Sequence, residues 1–122
     1  MSLIECKKHG KSSIVSTVEK NIIDSIKNNE TTEDKIIFII KIFINDENNN
    51  KYQYRFKFYI SSKTFLKEGF KRTYEVYWDL SNESVEDGED YIIDMLHKKT
   101  TFICEKCFYE FIQRCDIKII DN

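Results

Sequence analysis

The chain contains no proline and three glycines in 122 residues. It therefore offers no proline-rich spacer or glycine-rich linker at which to divide, and a single domain over residues 1–122 is expected. Long hydrophobic runs are also missing. The longest apolar stretch, residues 36–44, is interrupted by Lys41 and falls short of the roughly 20 residues needed to span a bilayer. No basic N-terminal region precedes an apolar run, so there is no secretory signal pattern. A cytoplasmic location without membrane association is the resulting expectation. Charge of one sign is lacking too: the net charge is -2, which gives no global attraction to nucleic acid or anionic lipid. No phosphate-binding glycine loop, no H-E-x-x-H and no H-x-E…C-x-x-C pattern occurs. No carboxylate pair is marked by an apolar setting that would tune an acid against a base. An enzyme is not expected.

What is present suits a folded core. The composition is 41% hydrophobic and 14% aromatic, unlike a disordered chain. Without a secretory signal, the four cysteines are read as thiols in a reducing compartment, not as a disulfide framework. Three of them fall in a pattern. Cys6-Lys-Lys-His9 and Cys104-Glu-Lys-Cys107 each place two ligands two residues apart, a spacing that one tight turn can present to a single ion. Gly10 follows the first pair, where a left-handed residue is useful. Together Cys6, His9, Cys104 and Cys107 form a Cys3His set suited to a closed tetrahedral Zn2+ site in a structural role. Cys115 is expected in the core, with replacement of His9 as the alternative. His97 has no neighbouring ligand and reads as an exposed histidine near a helix end. A catalytic zinc would need an open position and a nearby base, and Glu105 between the two C-terminal cysteines is placed to point away.

These two segments resemble the knuckles of zinc-ribbon proteins, which implies structural zinc. They depart from that family in the long insert, residues 10–103, and in the histidine of the first knuckle. In its size, its acidic patch and its α+β pattern the chain also resembles immunity-type proteins of bacteria. That resemblance implies inhibition of a toxin by direct binding.

The remaining pattern predicts an α+β fold: a mostly antiparallel sheet of about four strands, helices on one face, and terminal segments joined by the zinc site. Residues 4–9 and 11–15 read as strands flanking the first turn. Ser16 and Glu19 fit a capping box before a helix using Val18, Ile22, Ile23 and Ile26. Residues 35–44 and 52–60 read as a hairpin, the second strand alternating with a clean period of two. A short helix capped by Ser61 or Ser62 ends at Gly69. Residues 72–80 form a further strand, and residues 91–98 a short helix or a strand. Phe108, Phe111 and Ile112 mark a helix running to Arg114, and residues 117–120 a terminal edge strand.

Two charge features remain. Asp79, Glu83, Glu86, Asp87, Glu89, Asp90 and Asp94 occur without an intervening cation. This is either a solvated loop or a docking surface for a basic partner, with Glu83, Glu86, Asp87, Glu89 and Asp90 as the contact residues. Lys7, Lys8, Lys11, Lys98, Lys99 and Lys106 would gather wherever the knuckles meet. They either compensate the anionic zinc centre or contact nucleic acid, although aromatics do not interleave with them. Tyr52, Tyr54, Tyr59, Tyr74, Tyr77 and Trp78 occupy both faces of their strands, as core packing or as a partner-binding face. A non-enzymatic interaction module with structural zinc is the leading expectation. A nucleic-acid-associated zinc protein comes second and a zinc-dependent hydrolase third.

Overall fold

The computed structural model describes residues 3–46, 49–78 and 90–121. Their elements follow in the order β1 Leu3–Cys6, β2 Gly10–Glu19, α1 Lys20–Lys27, β3 Ile36–Asp46, β4 Asn49–Ser61, α2 Ser62–Glu68, β5 Thr73–Trp78, α3 Asp90–Lys99, β6 Thr100–Cys104, α4 Glu105–Arg114 and β7 Lys118–Ile120. The class is α+β. Among the described residues no helix is long and apolar enough to cross a membrane.

Strand β3 is the centre of the sheet because it is apolar at both parities. Ile40, Ile42 and Ile44 are buried on one face, and Ile37 and Ile39 on the other. A strand buried on both sides needs cover on both sides. One layer joins Ile40, Ile42, Ile44, Phe58 and Ile60 to Ile92, Ile93 and Leu96 of α3, with Phe65 of α2 packed against it. The opposite layer joins Val18 and Ile37 to Ile22 and Ile23 of α1 and Phe108 and Phe111 of α4. Helices on both faces thus correct the expected one-sided arrangement.

The sheet also corrects the expected strand count and direction. Among the described residues it has seven strands, with the path β1-β2-β4-β3-β5, β6 against β2 and β7 against β3. The predicted hairpin is present, with Ile40 opposite Phe58 and Ile42 opposite Phe56. Beyond it the sheet is mixed. β5 and β7 run parallel to successive halves of β3, and β2 runs parallel to β4 where Val18 meets Tyr59. Those parallel pairings join segments far apart in sequence, and no turn signal announces them.

Helix α1 starts later than the Ser16 capping box places it. β2 continues to Glu19, because Val18 and Glu19 pair with Thr101 and Thr100 of β6. Glu19 precedes α1 without a side-chain capping bond. Its carboxylate, 2% exposed, turns instead to the start of α2. The Ser61 N–H and hydroxyl each donate to Oε1 at 3.0 Å, and the Thr64 hydroxyl donates to Oε2 at 3.0 Å. Ser61 also caps α2 by accepting from the Thr64 N–H, and Gly69 ends the helix in the left-handed region at φ 68. Residues 90–99 are helical, which resolves the alternative left open there. The acidic positions Glu83, Glu86, Asp87 and Glu89 lie outside the described residues. Asp90 opens α3.

Glu19→Ala is expected to destabilise the fold by about 1–3 kcal/mol, since it strands polar groups at the start of α2. Ser16→Ala is expected to stay within about 0.5 kcal/mol. Denaturant titration checks both, and a large loss at Ser16 with none at Glu19 would restore the capping box.

Candidate metal centre

The first ligand pair sits on the turn between β1 and β2. Cys6 pairs with Gly10 across the hairpin, and Gly10 takes a left-handed φ of 70 that closes the turn. The second pair sits where β6 meets α4. Cys104 is the last residue of β6 and holds the position before the helix, and Cys107 lies in the first turn of α4. Strand β6 pairs with β2 directly beyond the β1 hairpin, with Ile14 opposite Cys104. The same long strand therefore carries both turns to one place.

The four predicted ligands converge there, their donor atoms all within 4.8 Å of one another. Cys6 Sγ lies 3.5 Å from Cys107 Sγ. His9 Nδ1 lies 3.4 Å from Cys107 Sγ, 3.6 Å from Cys6 Sγ and 3.7 Å from Cys104 Sγ. Around a tetrahedral zinc with bonds of about 2.3 Å to sulfur and 2.05 Å to nitrogen, the edges are about 3.8 Å between sulfurs and 3.5 Å from sulfur to nitrogen. The observed separations fit a cage of that size. Cys104 is buried, and the other three ligands are partly buried.

The four donor groups shift one another's protonation. Hydrogen bonding to the His9 ring, and then to the Lys8 backbone N–H, lowers the Cys6 thiol to about 6. Burial, followed by the neighbouring Cys6 and Cys104 sulfurs, pushes Cys107 up to about 12. For Cys104 burial works upward, but the hydrogen bond between its Sγ and Ser12 Oγ at 3.3 Å, and the bond from the Cys107 N–H, bring it below the usual thiol range. His9 is raised, first by Glu110 and then by Cys6. Three sulfurs so close cannot all ionise unaided, and a divalent cation removes that obstacle.

Neither alternative ligand takes part. Cys115 is 3% exposed, packed with Phe108 and Phe111 in the core, and its carbonyl accepts from Lys35 Nζ at 2.8 Å. His97 is exposed on the last turn of α3, edge-on to Phe56 and Phe58 at 5.8 and 5.1 Å. The expected gathering of six lysines is also corrected. Lys98 and Lys99 end α3, a whole strand away from Cys104, and pair with Asp94 at 3.1 Å and Glu68 at 3.8 Å. They are carried there because β6 spaces α3 from the second turn.

One participant escaped the sequence reading. Glu110 on α4 accepts from Lys8 Nζ at 2.8 Å and sits 2.7 Å from His9 Nε2. The available signal was its helical spacing three residues after Cys107, which puts both on one face. That spacing says nothing about His9 until the hairpin is placed. Glu105, by contrast, lines a shallow groove with Lys57 and Tyr109.

In reduced, metal-free protein at pH 7, Cys6 is expected to be the first cysteine alkylated by iodoacetamide. Its rate should fall about tenfold at pH 5, as a thiolate with a pKa near 6 is protonated. Peptide mass spectrometry reads the order, and faster labelling at Cys107 would contradict it.

Compared with family models, curated proteins and solved structures, the chain matches none, so its functional reading rests on the geometry of this centre.

Proposed function

We propose that this chain is a non-enzymatic protein-interaction domain whose N-terminal hairpin and C-terminal helix are held together by one structural Zn2+. The ligands are Cys6, His9, Cys104 and Cys107. The observation that carries the reading is the convergence of three sulfurs and one imidazole nitrogen within 4.8 Å of one another, with Cys6 Sγ and His9 Nδ1 at 3.4 to 3.7 Å from their neighbours. Thiolate and imidazole donors in that geometry favour zinc over the oxygen-seeking Ca2+ and Mg2+. Four protein ligands complete the shell, and no position is left for water or substrate to react.

The staple has clear structural work. The main packing partner of β1 is β2, so the hairpin tip has little core of its own. Cys6 and Cys107 are 101 residues apart, and joining them restricts the unfolded chain strongly. Apparent binding free energies of structural zinc sites, on the order of 10–16 kcal/mol, rival the whole stability of a domain this size. A reducing, cytoplasmic compartment suits such thiolates.

For the interaction itself, the acidic stretch holding Glu83, Glu86, Asp87, Glu89 and Asp90 is the proposed contact for a basic protein, as the likeness to immunity-type inhibitors suggests. Nucleic-acid binding through Lys7, Lys8 and Lys106 is the weaker reading. Lys8 is held by Glu110, while Lys98 and Lys99 pair elsewhere.

Purified protein is expected to hold one zinc per chain by elemental analysis, and Cys104→Ser/Cys107→Ser to lose both metal and cooperative unfolding. Metal-free wild type together with an intact double variant would sink the zinc reading. Charge reversal at Glu86, Asp87 and Glu89 should abolish capture of the basic partner and leave zinc content and Tm unchanged. Undiminished capture would move the interface away from the acidic stretch.

A further inference from the structure

His9 turns its two ring nitrogens to different tasks. Nδ1 faces the three sulfurs at 3.4 to 3.7 Å. Nε2 lies 2.7 Å from Glu110 Oε1, while Lys8 Nζ donates to Oε2 of the same carboxylate at 2.8 Å. Glu110 stands on α4 three residues after Cys107, and the side chain of His9 is only 13% exposed.

A neutral imidazole carries a single N–H, and only the bare nitrogen can bind a metal. A carboxylate at 2.7 Å accepts the proton of Nε2, so the lone pair of Nδ1 is directed at the sulfurs. Its negative charge also raises the basicity of the ring as a ligand. Lys8 fixes the carboxylate in turn. Two neighbouring residues of the hairpin tip therefore grip one side chain of α4. That grip is independent of the cysteines, although it joins the same two elements.

We propose that Glu110 is a positioning residue of the metal centre, which sets the tautomer and orientation of His9 and so makes the first turn a competent half-site. The proposal rests on the zinc reading above, and it assigns a role to a residue that binds no metal itself. The competing account is a plain surface ion pair between Lys8 and Glu110. The two separate cleanly, because Lys8→Ala breaks the ion pair and leaves the bond to His9 in place.

The experiment is zinc affinity by competition with a chromophoric chelator, on wild type, Glu110→Ala, Glu110→Gln and Lys8→Ala. Half of the Glu110 side chain is exposed, so its removal leaves the core intact. Glu110→Ala is expected to weaken zinc binding by about 10–100-fold. Glu110→Gln, whose amide oxygen accepts the same hydrogen bond without the charge, should recover part of that loss. Lys8→Ala should cost less than about fivefold. In 15N spectra of the zinc-loaded wild type the His9 proton should reside on Nε2, and its exchange with water should quicken in Glu110→Ala. Wild-type affinity in Glu110→Ala overturns the proposal while leaving the zinc reading standing. An equal loss in Lys8→Ala also overturns it, in favour of the ion pair. A wild type that binds no zinc removes the zinc reading, and this proposal with it.

Discussion

Three cysteine sulfurs and an imidazole nitrogen meet within 4.8 Å of one another, and that meeting constrains both ends of the chain. Left alone, that arrangement works against itself. The sulfurs oppose one another's ionisation, and Cys107 is pushed up while Cys6 and Cys104 are lowered. The same closeness becomes favourable once a dication shares all four donors. The backbone prepares for this. The Lys8 N–H is aimed at Cys6, the Cys107 N–H is aimed at Cys104, and Gly10 supplies the left-handed turn.

The sheet exists in a form that allows that meeting. β2 is long enough to pair with β1 over its first residues and with β6 over its last. One strand thus holds both turns, and a register shift between Val15 and Val18 interrupts its pairing with β6. Behind it, β3 and β4 form the rigid centre, with Ile40, Phe58 and Ile60 fully buried. α4 then serves two environments. Phe108 and Phe111 anchor it in the core, while Cys107 and Glu110 meet the hairpin.

The legible parts of the fold were those whose signal is local. The β3–β4 hairpin declared itself through alternation, α2 through Ser61 and Gly69, and α4 through Phe108 and Phe111. The capping box at Ser16 failed because a local motif met a stronger non-local demand. Pairing with β6 keeps residues 16–19 extended, and Glu19 is taken up by Ser61 and Thr64. The two-sided cover of the sheet was also hidden. The run Ile36 to Ile44 announces a buried strand without saying which helix covers which face.

The sequence by itself singled out the candidate ligand set, Cys6, His9, Cys104 and Cys107, because two-residue spacing is a property of a turn and needs no distant partner. It also determined the α+β class, through periodicities that each segment carries within itself. Tertiary structure alone decided that Cys115 stays in the core, that Lys98 and Lys99 stand away from the knuckles, and that Glu110 faces His9. Those are relations between segments tens of residues apart, set by strand pairing and helix docking. No local pattern encodes them, because the energy that selects them comes from the packed whole.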